Sequence, residues 1–209
     1  ALLTGRSPQG AGVPGNVSSY PGKPGLPAEQ LTIAERLKPL GYATAAVGKW
    51  HLGSAPGATP NGQGFDRFFG FYAGCVDNFS HTFYWDAPHV HDLRRDDREV
   101  HEDGTYLTDI VTREAVRFID ENRDGPFFLY VAYNLPHYPL QAPQRLVQKF
   151  AGLPNPSRAR YAATLAAVDE SVGTVLASLD ERRIADRTLV VFLSDHGATA
   201  ELRGDGPVG

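Results

Sequence analysis

Apolar positions recur along this chain with two different spacings, and the breaks between them separate short strands from longer helices. Tyr42 to Val47 is a short apolar run of a length suited to a buried strand, ending at Gly48. Phe127 to Tyr133 is continuous, apolar and rich in aromatics, which suits a central parallel strand. Thr188 to Leu193 reads as a last strand of the same kind. Between them the period lengthens. Leu107, Ile110, Val111, Ala115, Phe118 and Ile119 predict an amphipathic helix over about 105–122. Ala162, Leu165, Val168, Val172, Val175 and Leu179 predict another over about 157–180. An earlier helix near 32–38 begins at Thr32-Ile33-Ala34-Glu35. There the Thr32 hydroxyl can accept from the Glu35 amide while the Glu35 carboxylate reaches back, and Pro39 and Gly41 stop the helix. Strands alternating with helices at this spacing predict an α/β fold: a mostly parallel sheet flanked by helices on both faces, built from βαβ units.

Two stretches escape this pattern. Residues 7–27 are crowded with Gly, Pro and Ser and read as a long irregular segment. From about 54 to 104 aromatics, glycines and charges intermix, which predicts an excursion over the sheet edge, where substrate contacts are often placed. At 209 residues the chain suits one α/β domain. Its 20 basic and 24 acidic residues argue against a surface that wraps a nucleic acid, while leaving room for a local anion pocket. Cys75 is the only cysteine, so there is no internal disulfide and no multi-cysteine metal site. No apolar run approaches the ~20 residues of a membrane helix. The chain has no methionine, opens on Ala1-Leu2-Leu3-Thr4-Gly5-Arg6, and continues for only thirteen residues past His196. It reads as an internal piece of a longer enzyme.

The chemistry concentrates where the predicted strands end. Gly48-Lys49-Trp50-His51-Leu52-Gly53, Pro136-His137-Tyr138-Pro139 and Ser194-Asp195-His196-Gly197 each follow an apolar run. In open α/β sheets, ligands bind outside the carboxyl ends of the strands. Lys49 and His51 lie two apart, so an extended segment projects both to one face. A fixed cation beside a titratable donor suits the holding of a tetrahedral oxyanion, although a surface lysine near a loop histidine is the commoner meaning of that pair alone. Trp50 between them is expected to pack inward and fix the loop. Asp195 offers a hard oxygen and His196 a nitrogen, and at a strand-to-loop bend both can reach one ion. An aspartate capping the next turn, with an exposed histidine, is an equal reading of those two residues by themselves. His137 sits between Pro136 and Pro139, which stiffen its loop, and could instead simply stack on Tyr138. His81, His89, His91 and His101 fall in the charged excursion. A His89-x-His91 pair could bind metal, but solvated loop histidines are the favoured reading. Nothing near Cys75 marks a thiol nucleophile.

Together these strings resemble the sulfatase family of the alkaline-phosphatase-like superfamily. Leu2-Leu3-Thr4-Gly5-Arg6 resembles the tail of the motif Cys-x-Pro-Ser-Arg-x-x-Leu-x-Thr-Gly-Arg. The cysteine of that motif, a serine in some bacterial members, becomes the nucleophile formylglycine. The Gly48–Gly53 and Pro136–Pro139 strings resemble the second and third family motifs, and Ser194-Asp195-His196-Gly197 resembles the metal-binding Ser-Asp-Asn/His-Gly. Gly64-Phe65-Asp66 and Val168-Asp169-Glu170-Ser171-Val172-Gly173 also resemble family stretches.

The resemblance implies that 1–209 is part of one alkaline-phosphatase-like catalytic domain, incomplete, which cleaves a sulfate monoester of an aryl or carbohydrate alcohol. Lys49 would hold a sulfate oxygen, His51 would hydrogen-bond a hydroxyl of hydrated formylglycine, and His137 would help protonate the leaving alcohol. Asp195 and His196 would bind a divalent ion, usually calcium. His196 stands where many members carry asparagine, so a softer ion is conceivable. The formylglycine precursor would lie upstream of Ala1, so the 209 residues alone are expected to be inactive. Implied partners are a sulfated small molecule or glycan and a formylglycine-generating or anaerobic maturation enzyme, with no nucleic acid and no membrane. A periplasmic or secreted location follows by resemblance alone. The competing readings are a phosphodiesterase or phosphonate monoester hydrolase of the same superfamily, and a non-catalytic homologue that binds sulfated glycans.

Overall fold

A computed structural model describes residues 1–85, 88–195 and 197. The chain divides into two compact units, one from Ala1 to Asn134 and one beginning at Leu135.

The first unit carries the sheet. Helix α1 (Ile33–Leu37) starts from the expected capping box: the Thr32 hydroxyl accepts from the Glu35 amide at 3.2 Å, and the Thr32 amide donates to the Glu35 carboxylate at 2.8 Å. A 3₁₀ turn at Lys38–Leu40 ends it, with Gly41 in the left-handed region at φ +83°. Strand β1 (Ala43–Lys49) is the predicted one. β2 (Arg67–Phe71) follows, then a ribbon of β3 (Thr82–Phe83) and β4 (Val90–His91), and a hairpin of β5 (Arg94–Arg95) and β6 (Arg98–Glu99). Helix α2 (Leu107–Asn122) and strand β7 (Phe127–Ala132) complete the unit close to their predicted bounds.

The main sheet has the order β6-β5-β2-β1-β7. β1 lies between parallel partners, with Ala46 opposite Phe68 of β2 and Tyr130 of β7. Successive β1 side chains point to opposite faces, and both faces are covered. Val47, Phe69 and Phe71 pack with Leu107, Ile110 and Val111 of α2. Ala46 and Phe68 pack with Ala34 of α1, Trp50, Phe65 and Leu3. Burial on both sides is why β1 reads as a continuous apolar run without alternation.

Four expectations need correction. The 127–133 run, expected as a central strand, is the outer strand of this sheet among the described residues, parallel to β1 and half-buried. The 54–104 stretch is only partly an excursion, because β2 within it is a buried interior strand and β5 and β6 form the antiparallel edge. Gly70 is what admits β2 to that place: a Cβ there would stand 1.9 Å from the Gly48 carbonyl oxygen. Thr188–Leu193 forms no strand among the described residues, and Leu189 and Phe192 are 89% and 76% exposed. Apolar composition creates a wish for burial, but a strand exists only against a hydrogen-bonded neighbour. His81, expected among solvated loop histidines, is completely buried, whereas His89 and His101 are exposed as expected.

The second unit contains α3 (Gln144–Lys149), not foreseen, and α4 (Pro156–Glu181), foreseen as 157–180. Asn155 caps α4 by accepting from the Arg158 amide at 3.1 Å, and Pro156 takes the first helical position, where no amide donor is needed. The buried positions are Ala159, Ala163, Thr164, Ala167, Ser171, Ser178 and Leu179, so the predicted stripe is displaced by one residue over most of its length, with Leu165 exposed and Leu179 buried as expected. By length and composition α4 could cross a membrane. Asp169 and Glu170 interrupt it midway, and Glu170 is paired with Arg145 of α3, an arrangement expensive in hydrocarbon.

Candidate active site

The carboxyl edge of the sheet is built by continuing the β1–β2 ladder past the strands. The amide of Trp50 donates to the Phe71 carbonyl at 3.0 Å and that of His51 to the Tyr72 carbonyl at 3.1 Å. Trp50 turns inward as expected. It is buried, its indole N–H donates to the Ala58 carbonyl at 2.8 Å, and its ring meets Phe65 edge-on. That anchor leaves Lys49 at the strand end and His51 one residue beyond the anchor.

His51 is held in an uncommon way. Its φ is +50°, in the left-handed region that a branched or bulky side chain rarely enters. Its Nε2 lies 2.9 Å from the Val17 carbonyl. A carbonyl can only accept, so Nε2 carries the proton and Nδ1 the lone pair. The ring lies directly against Gly74, where a Cβ would stand 2.5 Å from Cε1. Gly74 in turn donates from its amide to the Ser19 hydroxyl at 2.9 Å. The irregular 7–27 segment thus supplies two of the contacts that orient this histidine.

Asp92 fixes the turn beneath it, a role the sequence did not signal. One carboxylate oxygen accepts from the amides of Tyr72 at 2.8 Å and Ala73 at 2.7 Å, and the other accepts from Arg94 Nε at 3.0 Å. Burial pushes its carboxyl above the ordinary aspartate range, opposed by these donors. At the end of β7, Asn134 donates to the Asn78 side-chain oxygen at 3.1 Å in a buried amide pair on the same edge. Cys75, next to Gly74, is buried, and burial raises its thiol, with the Tyr84 hydroxyl and the Lys49 ammonium pulling the other way. Burial thus favours the protonated thiol over the reactive thiolate.

The structure therefore brings Lys49 and His51 to one edge of the first unit. His137 and Asp195 belong to the second. There His137 Nδ1 donates to the Tyr138 carbonyl at 2.8 Å and its ring packs on Tyr138, 4.7 Å between centroids, leaving the lone pair on Nε2. The stacking alternative and the catalytic one are compatible, since the stack orients the ring. Asp195 is exposed at a bend, and His196 lies outside the described residues. One carboxylate and one imidazole are a small part of the 6–8 oxygens calcium takes, so the assigned pair does not by itself fit a complete calcium site.

A family model described as Sulfatase matches residues 1–206. Arylsulfatase J of Mus musculus is 35% identical over 178 residues, which are 82% of this chain and 30% of that protein. N-acetylgalactosamine-6-sulfatase of Homo sapiens is 35% identical over 185 residues, 83% of this chain and 34% of that one. Among solved structures, Ps i-CgsB in complex with k-i-k-neocarrahexaose superposes with a TM-score of 0.80 at 35% identity, covering 88% of this chain and 44% of that one. The chain thus spans about a third of the length of these two curated relatives.

Proposed function

The chain belongs to the sulfatase family, and on that premise we propose that its parent protein hydrolyses sulfate monoesters, with 1–209 as part of a single catalytic domain. The observation that carries the reading is His51: a histidine in the left-handed region, pinned through Nε2 to Val17, beside Lys49 at the carboxyl edge of a parallel ladder. Strain of that kind persists only where surrounding contacts hold it, and it clusters at functional positions.

Each residue has a defined task. The Lys49 ammonium balances charge on a sulfuryl oxygen as the ester bond breaks. His51 offers its Nδ1 lone pair to a hydroxyl of the nucleophile, while its Nε2 proton stays committed to Val17. His137 works from Nε2: with Nδ1–H engaged by the Tyr138 carbonyl, that nitrogen takes up a proton from solvent to give the imidazolium and passes it to the departing alkoxide, returning to the neutral ring. Formylglycine, formed from a cysteine or serine upstream of Ala1, would supply a hydrated aldehyde as nucleophile when present. Asp195 and His196 would contribute two ligands to a divalent ion, calcium by family, and no step here runs through it. The substrate class best supported is a sulfated sugar, since one relative is named for N-acetylgalactosamine 6-sulfate chemistry and Ps i-CgsB is complexed with a neocarrahexaose.

The test is a leaving-group series of sulfate esters on the full-length protein and its His137→Ala variant. General-acid assistance is worth ~10²–10⁴-fold, so the variant should lose most of that on alkyl and sugar esters and little on activated aryl sulfates. Equal losses across the series would remove His137 as the acid. Faster turnover of the matching phosphate diesters than of sulfate esters by the unaltered protein would replace the sulfatase reading with the phosphodiesterase one.

A further inference from the structure

Away from that edge, the 76–105 region gathers His81, His91 and His101 with the carboxylates of Glu99 and Asp103 around the β3–β4 ribbon. Two of the imidazoles have their tautomers set by neighbours. His81 Nε2 lies 3.1 Å from the Thr105 carbonyl, so it bears the proton and Nδ1 bears the lone pair. His91 Nδ1 lies 2.8 Å from a Glu99 carboxylate oxygen, so it donates there and Nε2 bears the lone pair. Both of the remaining nitrogens, His81 Nδ1 and His91 Nε2, are buried without any hydrogen-bond partner. Asp103 Oδ1 stands 4.0 Å from the first and 3.7 Å from the second, and the three atoms lie within 4.8 Å of one another. Three electron-pair donors therefore converge with no proton donor among them. The His81 side chain is 0% exposed, so solvent cannot repair this.

We propose that His81 Nδ1, His91 Nε2 and Asp103 Oδ1 form a binding site for a divalent transition ion of the zinc class, with water in a fourth position. Zinc is held by imidazole nitrogen and carboxylate oxygen at about 2.0–2.2 Å, which sets tetrahedral donors about 3.4 Å apart. The separations to Asp103 must close by roughly half an ångström for such bonds, and Asp103, 59% exposed, is free of packing that would resist it. The second shell is already built. Metal-bound histidines characteristically donate their other N–H to a carboxylate or a backbone carbonyl, and Glu99 and Thr105 are those acceptors. Two carboxylates near a dication also leave the assembly close to neutral. Calcium is a poor match, because two of three donors are nitrogen.

The ion would act as a brace. The Gly104 amide donates to the Phe79 carbonyl and the Leu107 amide to the Asn78 carbonyl, both at 2.8 Å, so the loop entering α2 already leans on the segment before β3. The ion would tie both to β4, which leads into Asp92 and the turn under His51. This assignment is independent of the sulfatase reading and uses none of its residues.

The test is zinc titration of the metal-stripped 209-residue chain by calorimetry, with cobalt as an optical probe and calcium as a control. The expected result is one tight equivalent of zinc, tetrahedral cobalt bands, and no calcium response at the same concentrations. Glu99→Gln, which acts only through His91, should weaken zinc about 10–100-fold; His91→Gln and Asp103→Asn should weaken it more. His101→Gln should leave affinity unchanged, although the His101 ring stacks on His91 at 4.3 Å. Asp103→Asn alters an exposed side chain, so it remains informative even if His91→Gln fails to fold. Zinc binding unaffected by Asp103→Asn, or abolished by His101→Gln, or absent in the unaltered chain, would overturn the assignment.

Discussion

Replacing Gly74 by alanine probes the geometry at the carboxyl edge directly. The new Cβ would stand 2.5 Å from His51 Cε1 and 2.7 Å from Nε2. Ordinary contact begins near 3.4 Å, so the ring must retreat by about an ångström, and the overlap is with a ring whose backbone is fixed by the His51 amide donating to the Tyr72 carbonyl. Retreat stretches the 2.9 Å bond from Nε2 to Val17 past hydrogen-bonding range. Losing that bond costs ~1 kcal/mol, and forcing a ring off its rotamer costs ~0.5–1.5 kcal/mol. The two together put the loss at about 2 kcal/mol, within the usual range for overpacking. Gly74 has no positive φ, so backbone strain adds nothing to the expectation. Urea unfolding should show a lower midpoint at unchanged slope, and imidazole ¹⁵N shifts should show His51 no longer locked as the Nε2–H tautomer. In the full-length protein, an ångström of misplacement at such a group is expected to cost up to ~10²-fold in turnover. Unchanged stability together with unchanged His51 shifts would mean that the ring does not lie over Gly74, and the geometric case for His51 would fall with it.

Other consequences are as direct. Gly48→Ala should abolish folding of the first unit, because φ is +107° and the added Cβ would stand 2.1 Å from the Ala132 carbonyl oxygen; a cooperative unfolding transition would refute the β1–β7 register. Asp92→Ala strands the amides of Tyr72 and Ala73, each worth ~1–3 kcal/mol when buried and unpaired, and should be visible as accelerated amide exchange at both residues. Burial would raise the Glu114 carboxyl, but its two-pronged pairing with Arg95 at 2.9 and 3.0 Å, helped by Arg113 and Arg117, holds it below the ordinary glutamate value. A depressed carboxyl stabilises above its unfolded pKa, near 4.5, and loses that contribution as pH falls through the folded value. Glu114→Gln should therefore lower stability at neutral pH by about 1–3 kcal/mol and flatten the acid limb below about pH 4.5; parallel pH profiles for the two proteins would refute the pairing.

Local information sufficed where one element's own residues carry the decision. The capping box at Thr32 and Glu35 is a bond between residues three apart, and α2 and β7 announce themselves because a periodic or continuous apolar run has one sensible place to go. Lys49 and His51 stood out as candidates for the same reason, being polar residues immediately after such a run, and the fold places both at one edge of the first unit. What escaped depends on partners far along the chain. β2 is five residues, too short to show a period, and becomes a strand through its ladder with β1 and through Gly70 lying on Gly48. Charged β5 looks like a loop until Arg95 is seen lying over the Phe69 ring at 4.7 Å and gripping Glu114. Thr188–Leu193 has the composition of a strand and lacks a ladder among the described residues. His81 and His91 make the point most sharply. Sequence shows two polar residues in a charged stretch, whereas burial and the acceptors at Thr105 and Glu99 decide which nitrogen keeps its lone pair and where it points. Propensity and patterning are properties of neighbours in sequence, while desolvation, tautomer and strand pairing are properties of neighbours in space, and only folding chooses those.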